Sequence, residues 1–291
     1  MTRRENIAPA STWSIEGNRR ALGELASREN FPVATRLLPA RHRADLRAVY
    51  GFARLVDDIG DEAPQEERAG LLDLVDGDLD RIYGTGTPRL PQLRRLAATV
   101  AARSIPETPF RRLVQANRQD QEVHRYGTFG ELLEYCTLSA DPVGRIVLHV
   151  FGAARPGLLE SSDRVCTALQ IIEHCQDVGE DHRRGRIYLP ADDLRRFDCT
   201  EDDLARPVTP TRLRGVLALE AGRARELLDR GAEPLISGLS GWARLAVAGY
   251  VAGGRAALAA LARGRYDVLA HPPRPHRARL LAGWARALGR G

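Results

Sequence analysis

Tyr50-Gly-Phe-Ala-Arg-Leu-Val-Asp-Asp-Ile-Gly-Asp-Glu62 is the stretch on which the reading of this chain turns. It closes a segment of helical period that starts near Ala44 and carries Leu46, Val49, Ala53 and Val56 along one side. Asp57 and Asp61 stand four apart, a spacing that stacks two side chains on one helix face roughly 6 Å from each other. Arg54 and Tyr50 extend that face backwards, and Asp58 adds a third acid beside it. Two acids, an arginine and an aromatic in one stripe suit cation and anion binding better than packing.

A second stretch repeats the pattern: Gln170-Ile-Ile-Glu-His-Cys-Gln-Asp-Val-Gly-Glu-Asp-His-Arg-Arg-Gly-Arg-Ile-Tyr-Leu-Pro190. Asp177 and Asp181 are again four apart, and Cys166, Gln170, Glu173 and Arg184 lie on the same face. Val165, Leu169 and Ile172 form an apolar stripe beside them. Arg183, Arg184, Arg186 and Tyr188 follow directly. The interval alone is weak, since Asp76 with Asp80 and Asp198 with Asp202 share it; those two read as solvated turns. Helical context, an apolar stripe in register and arginines one turn away set the other two pairs apart. Such pairs suit Mg²⁺, which prefers oxygen ligands and is usually held by a few carboxylates, waters and substrate phosphates. Arginines beside them would grip a diphosphate.

Around these stretches the chain reads as helix throughout. Leu93, Leu96, Ala97 and Val100 recur at three and four, as do Leu213, Val216, Leu217 and Glu220, and strand alternation is nearly absent. Glycine and proline punctuate at 84–91, 104–109, 155–157 and 207–210. The expectation is eight or more helices in one all-α domain spanning 1–291. The basic tail 271–291 reads either as a terminal helix packed on the body or as a contact with an anionic membrane surface.

Composition narrows the function. Of 291 residues 43% are hydrophobic and 28% charged, a globular mix, and the net charge of +5 comes with no lysine at all. Most arginines sit among acids and no recognition motif accompanies them, so nucleic acid is not an expected partner. Four scattered cysteines without a CxxC pair indicate neither zinc nor a disulfide framework, which fits a reducing, cytoplasmic setting. Met1 to Ser11 carries charges and no apolar run, and no membrane-spanning stretch is expected. Cys136, Cys166, Cys175 and His174 read as structural.

The two motifs together resemble those of the squalene and phytoene synthase family, and the likeness runs along nearly the whole chain. Asp57 to Asp61 is similar to the family's first aspartate-rich motif, and Asp177 to Asp181 with Arg186-Ile-Tyr-Leu-Pro190 to its second. Glu29-Asn-Phe-Pro-Val33, Arg118-Gln-Asp120 and Tyr135-Cys-Thr-Leu-Ser-Ala-Asp-Pro-Val-Gly144 resemble the bacterial branch associated with hopanoids. Two positions depart: Glu173 stands for the usual asparagine, and Asp141 for an asparagine before Pro142.

The resemblance implies an all-α isoprenoid synthase bundle with a central cavity. It implies Mg²⁺ on Asp57, Asp58, Asp61, Glu173, Asp177 and Asp181, with diphosphate on Arg54, Arg183, Arg184 and Arg186. Tyr50, Arg54, Tyr135, Gln170 and Tyr188 would act on the reacting atoms, and Phe31 and Gly144 would line the substrate pocket. The implied reaction is ionisation of presqualene diphosphate, rearrangement and capture by water to give hydroxysqualene, with no need of NADPH. A presqualene diphosphate synthase would then be its functional partner. Condensation of two farnesyl or two geranylgeranyl diphosphates is the alternative within the family, and a non-catalytic prenyl-diphosphate-binding subunit the alternative outside it.

Overall fold

A computed structural model describes residues 38–270 together with Trp284. Phe31 and the tail 271–291, Trp284 excepted, lie outside the described residues. The described residues form helices α1 (Ala40–Asp61), α2 (Gln65–Tyr83), α3 (Pro91–Arg103), α4 (Thr108–Gln119) and α5 (Phe129–Ser139). They continue as α6 (Asp141–Val150), α7 (Pro156–Arg183), α8 (Ala191–Arg196), α9 (Thr211–Ser237) and α10 (Gly241–Arg263). The helix breaks fall at the glycine and proline clusters, where a missing N–H or a fixed φ cannot continue a helix. Pro91, Pro109, Pro142 and Pro156 each stand in the first turn of a helix, the place that tolerates them.

Two apolar cores share the work of burial. One gathers Phe52, Val56 and Ile59 of α1 with Leu72, Leu96 and Phe110 from α2 to α4. The other gathers Val165 and Ile172 of α7 with Leu217, Leu228, Val251 and Leu258 from α9 and α10. Helix α6 joins them, giving Ile146 and Val150 to the first and Leu148 to the second. It packs against both α1 and α7. The polar faces of α1 and α7 thus meet across a cleft rather than in a packed seam.

The long pair α7 and α9 is the tightest crossing. A Cβ at Gly231 would lie 2.7 Å from the Ser161 carbonyl oxygen, a backbone atom that cannot swing aside. Gly231→Ala should therefore lower stability by about 1–3 kcal/mol, measured as a shifted urea midpoint. Helix α10 is the one described helix long and apolar enough to cross a membrane, yet most of it is buried against the second core. Trp284 joins that core, its indole N–H donating to the Leu245 carbonyl at 2.9 Å.

Asp76 and Asp80 are not turn residues. Both lie in α2 and both pair with Arg111 of α4. A groove of about 590 Å³ opens beside them, lined by Glu107, Arg112 and Leu138 among others, but Arg111 and Arg118 there are already held by acids.

Buried Glu220 of α9 shares Arg223 with Asp193, at 2.6 and 2.5 Å. Burial pushes its carboxyl up to about 8. The unfolded chain releases that proton near pH 4.5 and the folded chain keeps it to about 8, so folding costs more as pH rises through that window. Glu220→Gln should raise the unfolding midpoint at pH 8.5 and leave it nearly unchanged at pH 4, a gain of about 1 kcal/mol.

Candidate active site

Helix α1 presents Asp57 and Asp61 to the cleft while Leu46, Val49, Phe52 and Val56 hold its other side in the core. Asn117 of α4 donates to Asp57 at 3.3 Å and to the Leu113 carbonyl at 3.2 Å. Gly60 lets the two helices come this close: a Cβ there would sit 2.2 Å from the Asn117 side-chain oxygen. Asp57 is exposed at the cleft, yet the protein around it, with Asp61 and Asp58 nearby, pushes its carboxyl up to about 7.

From the other wall, α7 brings Glu173, Asp177 and Asp181 to the same opening. Burial, then Asp177 and Glu173, push the Asp181 carboxyl up to about 7 against the pull of Arg184 and Arg186. The extended segment after α7 carries the arginines across: Arg186 donates to Asp61 at 2.6 Å and Arg184 lies 3.4 Å from it. This crossing joins the two acidic stretches.

Beyond the acids stands an aromatic wall. Tyr135 of α5 and Tyr188 of the extended segment both donate to Asp120, at 2.7 and 3.2 Å. Tyr126 packs on both rings, with centroids 5.3 and 5.8 Å away. His174 stacks on Tyr188 at 3.9 Å, reaches Gln170 at 3.3 Å and lies 4.0 Å from Asp181. Burial holds its pKa down near 3, so the ring is neutral.

Several expected residues stand elsewhere. Asp58 was expected among the metal-binding acids, but it is buried and ion-paired to Arg54 at 2.6 Å, because it lies a third of a turn off the open face. Arg54 also meets Glu62 at 3.2 Å, so it reaches the cleft mouth already tethered. Arg183 is exposed and folds back on its own helix, donating to the Gly179 carbonyl. Gly144 sits at the crossing of α6 and α7, where a Cβ would fall 2.3 Å from Ser162 Oγ and 2.5 Å from Cys166 Sγ. Tyr50 is half-buried on the α1 face before Arg54. Asp141 opens α6 and accepts from Thr167 at 2.8 Å, so the departure from asparagine falls at a buried helix start.

Asn117, Asp120 and Tyr126 lie outside both acidic stretches. Asn117 falls in register with Leu113 and Val114 on the buried side of α4, and a polar side chain in an apolar stripe was the available signal.

Residues 26–282 match the family described as squalene/phytoene synthase. The chain belongs to that family. Among squalene/phytoene synthase relatives, hydroxysqualene synthase of Zymomonas mobilis is 36% identical over 208 residues, 69% of this chain and 68% of that protein. Phytoene synthase of Arthrospira platensis is 34% identical over 213 residues, 68% of each chain. The crystal structure of squalene synthase HpnC from Alicyclobacillus acidocaldarius superposes with a TM-score of 0.77 at 38% identity, covering 87% of this chain and 96% of that one. A dehydrosqualene synthase structure shares the fold at a TM-score of 0.81 and 22% identity, covering 95% and 97%. The protein is therefore an isoprenoid biosynthetic enzyme with the all-α fold of its family.

Proposed function

We propose that this enzyme converts presqualene diphosphate to hydroxysqualene in the presence of Mg²⁺. The observation that carries the reading is the pair of acidic faces, Asp57 with Asp61 and Glu173 with Asp177 and Asp181, joined across one cleft by Arg184 and Arg186. The donor set fits the ion. Carboxylates on both helices supply oxygen donors, and Mg²⁺ keeps waters and takes one or two carboxylates plus substrate phosphates. Acids pushed up toward 7 by crowding gain from a cation between them.

When bound, the ion would supply Lewis-acid stabilisation of the departing diphosphate. Arg184 and Arg186 would grip its oxygens, fixed in place before charge develops. Tyr126, Tyr135 and Tyr188, packed ring on ring with His174, would form the wall beside the carbocation left behind. A cytoplasmic enzyme taking its substrate from a presqualene diphosphate synthase fits this chemistry.

The 34% identity to a phytoene synthase favours one second reading, head-to-head condensation of two prenyl diphosphates. Purified protein with Mg²⁺ should be given presqualene, farnesyl or geranylgeranyl diphosphate separately, with and without reduced nicotinamide, and the products identified by mass spectrometry. Hydroxysqualene from presqualene diphosphate without reductant is the expected result. Consumption of farnesyl or geranylgeranyl diphosphate alone would transfer the assignment to condensation.

A further inference from the structure

Asp120 is placed as no ion pair of the cleft requires. It caps the end of α4, is 8% exposed, and accepts the Tyr135 hydroxyl on one carboxylate oxygen and the Tyr188 hydroxyl on the other. A carboxylate only accepts, so both hydroxyls donate to Asp120, and the Tyr188 hydroxyl also contacts that of Tyr135. Tyr188 borders a narrow crevice that also touches Asp181 and Arg186, the diphosphate end of the site. The groups acting on Asp120 include Tyr126 after α4, Tyr135 from α5, Arg186 and Tyr188 from the extended segment, and Asp61 from α1.

We propose that Asp120, acting through these hydroxyls, receives the proton released when water captures the carbocation; the inference rests on the function proposed above. A water oxygen forms the new C–O bond with its lone pair, and one of its protons passes to the phenol oxygen of Tyr135. The phenol's own proton moves to Asp120 across the 2.7 Å contact. Cation, water and carboxylate become alcohol and carboxylic acid, with charge and atoms conserved, and the proton returns to solvent after the product leaves. Tyr188, at 3.2 Å, is the parallel route. Burial above all, with Asp61 adding to it, raises the proton affinity of Asp120 against the pull of the two hydroxyls and Arg186, as a proton acceptor needs. Asp120 is thus a positioning residue and proton sink, and the tyrosines are the groups that touch the water.

The test uses the full chain with Mg²⁺ and presqualene diphosphate, comparing wild type with Asp120→Asn, Asp120→Glu and Tyr135→Phe. Released diphosphate reports ionisation, and mass spectrometry reports the fate of the cation. In Asp120→Asn the hydroxysqualene share of consumed substrate should fall at least about tenfold in favour of hydrocarbons formed by proton loss from carbon, with diphosphate release nearly kept. Tyr135→Phe should shift products the same way, and Asp120→Glu should restore part of the alcohol. An unchanged alcohol share in Asp120→Asn overturns the relay. So does an equal loss of diphosphate release and alcohol at unchanged melting temperature, which would assign Asp120 to ionisation. Wild type that leaves presqualene diphosphate intact removes the proposed function and the relay with it; wild type that makes hydroxysqualene beside an Asp120→Asn enzyme doing the same removes the relay alone.

Discussion

Asp57→Asn is expected to cut turnover by about 10²–10³-fold and, in metal-free buffer, to raise the melting temperature at pH 8. Both effects come from one cause. Asp57 is crowded by protein, Asp61 and Asp58, which hold its carboxyl near 7 against an ordinary 3.8. The unfolded chain gives up this proton below about pH 5 and the folded chain only near 7, so folding is penalised increasingly through that window and fully above it. Asparagine carries no charge to crowd, and it keeps an oxygen and an amide near Asn117. Discounting for water in the open cleft, the gain is about 1 kcal/mol at pH 8 and absent at pH 4. The lost turnover follows from removing a carboxylate from the cation's place. Calorimetric melts at the two pH values, set beside diphosphate release, check both halves. A variant with full turnover would take Asp57 out of the site.

Arg186→Ala should be nearly as damaging, about 10²-fold in diphosphate release, and unlike the first it should also destabilise. Its guanidinium is only 12% exposed and bonds Asp61 at 2.6 Å. It also draws down the carboxyls of Asp181 and Asp120. Removing it takes one cation from Asp61, Asp120 and Asp181 at once, leaving Arg184 to serve Asp61 and Asp181. Lysine at 186 restores a charge without the planar fork, so Arg186→Lys should recover stability ahead of activity. Titrating inorganic diphosphate against the variants by calorimetry separates the two: weak binding at normal melting temperature assigns Arg186 to the substrate, and weak melting with normal binding assigns it to the fold.

The fold was legible because helical period and the glycine and proline breaks are local properties of the chain. Both acidic faces followed from a spacing of four laid over an apolar stripe. What spacing could not give was which acid turns inward. Asp57 and Asp58 are neighbours in sequence, and only the tilt of α1 on its core sends one to the cleft and the other to Arg54. Asp76 and Asp80 looked like turn acids because their partner, Arg111, is remote in sequence. The Asp120 network was hidden for the same reason, since its members come from α4, α5 and the segment after α7. His174 was read as structural; it is neutral and stacked, and it also touches Gln170 at the edge of the site.

The segment carrying Arg184 and Arg186 is stitched to the chain leaving α4. Ile187 N–H donates to the His124 carbonyl at 2.9 Å, Ala191 N–H to Tyr126 at 2.9 Å, and Arg125 to the Gly185 carbonyl at 2.6 Å. Second-motif arginines, Tyr188 and Asp120 are consequently braced on one another by hydrogen bonds. Against it, α1 is tied at the cleft by side-chain ion pairs at Asp61, contacts that an arriving diphosphate would compete for directly. Diphosphate entering the cleft would therefore trade places with the Asp61 carboxylate, on arginines whose backbone is already pinned from the α4 side.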